Sequence, residues 1–149
     1  MTYSASLETA NATPVAISTD EGFRFPGISQ AVRVGQLVFV GGVISVDPAT
    51  GRKVPGGAGA EAEQMFGNLE KVLAAAGLTL HDMVKMTMYV RNWDDFPAVD
   101  AVYRRRFAGA PVPPARATLA VVGIGSECLC ELEGIAVVRV PGAPESSAG

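Results

Sequence analysis

The chain has 149 residues, of which 48% are hydrophobic and 18% charged, and its formal net charge is −3 at pH 7. This length and composition predict one globular domain and exclude a disordered or fibrous chain. No apolar run reaches the roughly 18 residues of a membrane span, and no signal pattern opens the sequence, so we expect a cytoplasmic protein without a membrane partner. The negative charge also disfavours nucleic acid as a main partner.

Both ends of the chain are predicted to be flexible. Residues 1–22 are rich in Ser, Thr and Ala and show no periodicity, and residues 142–149 contain turn formers and small polar residues. The predicted single domain therefore spans residues 23–141.

A hairpin is predicted near the start of this domain. The stretch QAVRVGQLVFVGGVISV is typical of two strands separated at Gly35 and Gln36, and a turn follows between Asp47 and Gly51. The stretch GGAGA at residues 56–60 lacks the Lys and the Ser or Thr of a phosphate-binding loop. We therefore predict a flexible loop there.

Two amphipathic helices with a strand between them follow. The first is predicted in AGAEAEQMFGNLEKVLAAAG, whose apolar residues recur at three- and four-residue steps up to Gly77. HDMVKMTMYVRN then alternates as a half-buried strand does. The second helix is predicted in WDDFPAVDAVYRRRFAG, with caps at Asp94 and Asp95. Its apolar stripe consists of Phe96, Val99, Tyr103 and Phe107.

Two final strands are predicted, from Arg116 to Val122 and from Cys128 to Val140. The order ββαβαββ predicts an α+β domain, one sheet with two helices packed on one face. Several strands are apolar on both faces, so the second face of the sheet needs a cover. With no third helix predicted, we expect another copy of the chain there, hence a homo-oligomer; the alternative is a monomer with one wetted face.

The other reactive side chains indicate structural roles. Cys128 and Cys130, the only cysteines, are expected to be reduced core residues. His81, the only histidine, supports no Ser-His-Asp set, and no cluster of His and Cys suggests a metal. We therefore expect no conventional metal site. The basic run at residues 104–106 is expected to form a solvated face at the end of the second helix.

Three charged residues, Arg116, Glu131 and Glu133, fall within apolar strands. If the last two strands are antiparallel neighbours, a carboxylate comes within reach of Arg116. Two interpretations remain open. In the first, the charges form a structural Arg to Glu ion pair. Alternatively, Arg116 is a bidentate clamp for a substrate carboxylate, and a glutamate places a water beside it.

The chain resembles the Rid or YjgF-like family of reactive intermediate imine and enamine deaminases over nearly all of residues 24–140. The matching stretches are PGISQAVRVGQLVFVGG, DPATG, NLEKVLAAAGLTLHDMVKMTMYVRNWDDFPAVDAVYRRRF, PPAR and ELEGIAV. The resemblance implies a chorismate-mutase-like homotrimer with sites in clefts between subunits. It also implies hydrolysis of a 2-imino or 2-enamino acid to the 2-keto acid and ammonia, without a cofactor.

The resemblance also implies roles for individual residues. Arg116 looks like the family's carboxylate-binding arginine, and Glu131 matches the acid that orients water and assists proton transfer. Thr118 falls where the family often has Cys, Ser or Thr, and its backbone is expected to help hold the water. Glu133 looks structural by comparison.

The sequence departs from the family pattern at several positions of the expected substrate pocket. Ile28 replaces a tyrosine, Gly41 replaces the serine before Gly42, and Asp100 replaces an amide. Phe25 and Ile28 make the pocket more apolar. These departures suggest a pocket for a different acid, such as an aminomuconate, or a member that binds without turnover.

Three functions are therefore compared. The leading hypothesis is an imine or enamine deaminase. The second is a non-catalytic trimer that binds a small carboxylate or regulates through the same cleft. The third, RNA cleavage, is disfavoured by the acidic balance and by the lack of an aromatic and basic surface.

Overall fold

A computed structural model of the chain describes residues 13–139. Residues 1–12 and 140–149 lie outside the described part, and with them the predicted flexible tail at 142–149 and the last residue of the predicted final strand. The helices are α1 (Gly57–Ala75) and α2 (Phe96–Arg106). The strands are β1 (Val15–Ile17), β2 (Ala31–Val34), β3 (Leu37–Ile44), β4 (Val46–Asp47), β5 (Arg52–Lys53), β6 (Met83–Val90), β7 (Ala115–Ala120) and β8 (Cys130–Val137).

Six strands form one mixed sheet in the order β1-β2-β3-β8-β6-β7, and β4 pairs with β5 separately. Within the large sheet only β6 and β7 are parallel, as expected for two strands joined through helix α2. The helices share one hydrophobic core with one face of this sheet. Its largest fully buried side chains include Phe66, Met65, Leu69, Leu73, Met86, Met88 and Leu132. The predicted α+β class, with two helices on one sheet face, is confirmed.

Left-handed glycines end the local elements where the sequence predicts turns. Gly35 (φ 59°) connects β2 to β3, and Gly77 (φ 73°) follows the end of α1. Gly51 (φ 67°) donates its N–H to the Asp47 carbonyl at 2.8 Å, which closes the turn between β4 and β5. The predicted hairpin, turn and glycine stop are therefore confirmed.

The prediction of a flexible loop at residues 56–60 is wrong, because α1 begins at Gly57. Gly56 precedes the helix in a left-handed conformation (φ 111°). Ala58 and Ala62 are buried in the core, so packing stabilises this first turn despite the low helix propensity of its glycines.

The predicted flexible segment 1–22 contains an ordered strand in its described part. β1 pairs antiparallel with β2, with Ala16 opposite Val32. A three-residue edge strand is too short to show alternation; its backbone pairing with β2 and the packing of Ile17 against the core hold it in place. The sheet therefore begins before residue 23.

The last two strands are not neighbours, since β6 lies between β7 and β8. The suggested antiparallel pairing of these strands is therefore wrong. Helix α2 returns the chain beside β6, which makes β7 the edge strand, and β8 then enters between β3 and β6. This order separates the strand of Arg116 from the strand of Glu131.

The basic run at the end of α2 contacts α1 rather than only solvent. Arg106 donates to both oxygens of Glu70 at 3.0 Å and to Glu63 at 2.7 Å. Arg105 also pairs with Glu63. These ion pairs tie the two helices together, although partly exposed pairs of this kind contribute little each.

The sheet face opposite the helices, here called the open face, carries exposed apolar side chains. Leu37 and Phe39 on β3 and Leu119 on β7 are 41%, 43% and 46% exposed. They alternate along their strands with side chains that point towards the helices. Within residues 13–139, no helix is long and apolar enough to cross a membrane.

Candidate active site

Arg116 lies on the edge strand β7, and its side chain points to the helix side of the sheet. In the parallel ladder Arg116 is opposite Met86 and Thr118 is opposite Met88. Both methionines are fully buried beneath the helices. Residues opposite each other in a ladder share a face, so Arg116 and Thr118 face helix α2.

The Arg116 guanidinium is fixed by an acid and an aromatic ring of α2. Its Nη1 donates to Asp100 Oδ1 at 2.6 Å, and its Cζ lies 4.2 Å from the centroid of the Tyr103 ring. Its side chain is 21% exposed. Among residues 13–139, Nε and Nη2 have no hydrogen-bond partner. One edge of the planar fork is therefore available to a carboxylate.

Asp100 is the acid that pairs with Arg116, instead of the glutamate considered in the sequence analysis. It is 6% exposed, and its Oδ2 accepts a hydrogen bond from Arg104 Nε at 2.6 Å. Burial favours a higher pKa for Asp100, but the hydrogen bonds from Arg104 and Arg116 outweigh burial and hold that pKa below its usual value. Asp100 is therefore an ionised carboxylate between two arginines.

The Thr118 hydroxyl is buried beside Arg116, two residues along the same strand. Its Oγ1 has no hydrogen-bond partner in the described part of the chain. A buried hydroxyl without a partner is costly, by about 1–3 kcal/mol. Thr118 therefore offers a polar contact beside the arginine. We call Arg116, Asp100, Tyr103 and Thr118 the Arg116 half-site.

Glu131 lies on β8 and points to the open face, where it is opposite Tyr89 of β6 and Ile44 of β3. Its carboxylate occupies the space where a side chain at position 42 would begin, so any larger residue in place of Gly42 would displace the Glu131 carboxylate. Burial, and to a lesser extent the charge of Glu133, raise the pKa of Glu131. A carboxyl group with a raised pKa is suited to proton transfer.

The remaining predicted pocket residues lie on the same side as Glu131. Phe25 packs at the edge of a small core formed by Ile44, Val46, Ile124 and Cys128. Residues 24–29 line an open groove of about 430 Å³, in which Ile28 is 65% exposed. Gly41 donates its N–H to the Gln30 carbonyl at 3.0 Å, which holds this loop against β3. We call Glu131, Gly41, Gly42, Phe25 and Ile28 the Glu131 half-site.

The two half-sites lie on opposite faces of one sheet. β6 separates their strands, and Arg116 is directed to the helices while Glu131 is directed away from them. Within one protomer, therefore, these two side chains do not meet around a small molecule.

Other predicted residues have structural environments. Glu133 accepts a hydrogen bond from the Tyr89 hydroxyl at 2.8 Å, and this bond is the main reason that the pKa of Tyr89 is raised. Cys128 and Cys130 are buried and free, as predicted, and burial raises the pKa of both thiols. Across residues 13–139 no group of three or more His, Cys, Asp or Glu is placed to hold a metal ion.

Of the four residues of the Arg116 half-site, Tyr103 is the one that the sequence does not place in the expected site, since the sequence predicts it only in the apolar stripe of the second helix. The signal was its position three residues after Asp100, which places both side chains near one another on a helix.

The fold places the chain among the α+β proteins that have a mixed sheet with two helices on one face and an open second face. The sequence model of the family described as endoribonuclease L-PSP matches residues 26–138. The chain belongs to this family, which includes the Rid or YjgF-like proteins that the sequence resembles.

Individual relatives agree with this assignment. The chain is 42% identical over 125 residues to protein DfrA of Myxococcus xanthus, and the aligned region covers 82% of this chain and 94% of the relative. It is 38% identical over 109 residues to the 2-iminobutanoate/2-iminopropanoate deaminase of Mus musculus, covering 73% and 79%. The crystal structure of the YjgF gene product of E. coli matches with a TM-score of 0.78 at 34% identity, covering 84% of this chain and 99% of that chain.

Proposed function

We propose that the chain is a cofactor-independent deaminase that hydrolyses 2-imino or 2-enamino acids, or a related small carboxylate, to the keto acid and ammonia. The observation that carries the proposal is the Arg116 guanidinium, held by Asp100 and Tyr103, whose Nε and Nη2 have no hydrogen-bond partner among residues 13–139. The activity named for the mouse relative supports the reaction class.

For this reaction the protein mainly has to position the substrate and the attacking water. Water adds to C2 of the protonated imine, which is already electrophilic, and the C–N bond of the tetrahedral adduct then breaks. Ammonia leaves with the transferred protons, and the oxygen of water becomes the keto oxygen. Arg116 holds the substrate carboxylate, while Glu131 orients the water and accepts its proton.

We also propose that the complete site forms between copies of the chain in a homotrimer. Two side chains on opposite faces of one sheet act on one small molecule only if each comes from a different copy. The exposed Leu37, Phe39 and Leu119 support this assembly, since they offer an apolar surface for a second copy. The other residues proposed to line the site are Phe25, Ile28, Gly41 and Gly42 from one copy and Asp100 and Thr118 from the other.

The oligomer is tested with Phe39→Asp, which places a charge in the apolar open face. Light scattering during gel filtration is expected to give the parent about three times the 15.4 kDa of one chain, and the variant a smaller mass. Val112→Asp, at a loop position that is 75% exposed, is the matched control and should retain the parent mass. A parent protein that runs as a monomer would contradict the assembly.

The deaminase is tested by measuring ammonia release from 2-imino acids generated in place by an amino-acid oxidase. Glu131→Gln is expected to lower kcat by about a hundredfold, because glutamine keeps the shape but does not accept the proton. Binding of the product keto acid should change little. Glu133→Gln is the matched control, since Glu133 is exposed and bonded to Tyr89. No ammonia from any imine tried, or equal rates for Glu131→Gln and the parent, would count against the proposal.

A second candidate function is binding of a small carboxylate without turnover. The observation behind it is Asp100, an acid where the family resemblance implies an amide, which already occupies one end of the Arg116 fork. This function predicts that 2-keto acids raise the unfolding temperature of the protein while no imine releases ammonia.

A further inference from the structure

Asp100 is fixed between two arginines at the edge of the Arg116 half-site. One carboxylate oxygen accepts from Arg116 and the other from Arg104, each at 2.6 Å. Because Arg104 is on the same helix and Arg116 on β7, the carboxylate is anchored from two elements. A ligand that binds Arg116 therefore meets the Asp100 charge as a permanent part of its surroundings.

The two arginines do not compensate Asp100 equally. The Arg104 side chain is 79% exposed, so water and salt screen its charge, whereas that of Arg116 is 21% exposed. Most of the negative charge of Asp100 is therefore balanced by Arg116, at the side where the ligand binds. A simple anion still gains hydrogen bonds from Nε and Nη2, but it gains little net charge attraction.

A ligand with a positive nitrogen next to its carboxylate interacts with both charges of the half-site. Its carboxylate makes the same hydrogen bonds to Arg116, and its nitrogen is attracted by Asp100. The iminium form of a 2-imino acid has this zwitterionic charge pattern, whereas the 2-keto acid formed from it has only the negative charge.

We propose that Asp100 determines the charge preference of the site, so that carboxylates with a cationic nitrogen at C2 bind better than purely anionic carboxylates of the same skeleton. This inference rests on the proposed function, because it requires that Arg116 binds the ligand carboxylate. In turnover, the preference retains the iminium substrate and releases the keto acid.

The test compares 2-aminobutanoate with 2-oxobutanoate, which share a carbon skeleton and differ in charge at C2. Calorimetry at neutral pH gives the two dissociation constants, and the ratio of the oxo acid value to the amino acid value is expected to exceed one for the parent. Asp100→Asn should lower this ratio about tenfold, because asparagine still accepts from Arg116 but carries no charge. Asp94→Asn, an exposed position near the start of α2, matches the change in net charge and should leave the ratio unchanged.

Arg104→Gln provides a second variant, at a side chain that is 79% exposed. It removes the other partner of Asp100, so the ratio is expected to rise instead of fall. A purely structural role of Asp100 would not move the ratio in opposite directions. A parent ratio below one, or a ratio that stays within twofold in both Asp100→Asn and Arg104→Gln, would overturn the inference.

Arg116→Ala separates this inference from the proposed function. If Arg116→Ala weakens the binding of both ligands while Asp100→Asn and Arg104→Gln leave the ratio of dissociation constants unchanged, only the charge preference is wrong. If the parent binds neither ligand, or if Arg116→Ala changes neither affinity, the proposed function itself is contradicted.

Discussion

Replacing Arg116 with alanine is expected to lower kcat/KM for a 2-imino acid by about 30- to 1000-fold, equivalent to about 2–4 kcal/mol of transition-state binding. The variant removes the planar fork whose Nε and Nη2 are unpartnered among residues 13–139, and within that range it leaves the buried Asp100 charge with only the exposed Arg104 as partner. The carboxylate then loses its hydrogen bonds and meets an uncompensated negative charge. Both effects weaken the binding of the substrate and of the transition state.

The measurement is ammonia release across substrate concentrations, with thermal unfolding as a check that the variant folds. Arg116→Lys keeps the positive charge without the bidentate fork, so its rate should fall between those of the parent and Arg116→Ala. Arg91→Ala is the control for loss of a partly exposed arginine, since Arg91 pairs with Glu127 away from the half-site. An Arg116→Ala variant within twofold of the parent would contradict the assigned role.

Replacing Glu61 with alanine is expected to lower the free energy of unfolding by about 2–4 kcal/mol. Glu61 is 1% exposed on α1, and its Oε2 accepts hydrogen bonds from Ser45 Oγ at 2.5 Å and Leu129 N at 2.7 Å. Lys53 Nζ lies 3.8 Å from its other oxygen. Alanine removes the acceptor of both donors and leaves a cavity where helix, loop and sheet meet.

Glu61→Gln is the matched control, because its amide oxygen can still accept from Ser45 and Leu129. Its loss should stay below about 1.5 kcal/mol. Urea unfolding measures both variants, at one fixed protein concentration because association of copies would add to the apparent stability. If Glu61→Ala loses no more stability than Glu61→Gln, the hydrogen bonds of the carboxylate are not what stabilises this contact.

Local patterns predicted the elements of the fold well. Three- and four-residue steps located α1 and α2, and Gly35, Gly51 and Gly77 marked their turns and stops. The order of the strands was harder, because it depends on where a crossover helix returns the chain. The prediction assumed that consecutive strands pair, and this assumption placed β7 beside β8. The helix between β6 and β7 instead makes β6 and β7 the parallel neighbours.

The most deeply buried carboxylates were not predicted from the sequence. They are Glu61 and Asp100 on the helices, whereas of the charges predicted in strands Arg116 and Glu131 are only partly buried and Glu133 is exposed. A signal existed, since Glu61 precedes the buried Met65 by four residues and therefore lies on the apolar stripe of α1. Nothing in that spacing identifies its partners, which come from distant parts of the chain.

The candidate site was predicted only in part, because its geometry also depends on contacts between distant parts of the chain. Arg116 was singled out by a charge at the start of an apolar strand, and Glu131 by its position within one. Which face each side chain occupies depends on strand register and on the neighbour of each strand, and both are set by long-range packing. That packing pairs Arg116 with Asp100 and places Glu131 over Gly42.

The placement of Arg116 and Glu131 on opposite sheet faces also has a genetic consequence in the proposed assembly. A chain that has lost its arginine still presents an intact glutamate to its neighbour, and the reverse holds for a chain that has lost its glutamate. In a cell that expresses both damaged alleles, about one quarter of the sites in randomly mixed trimers would combine two intact halves. Two inactive genes could therefore complement each other, although neither encodes a working chain.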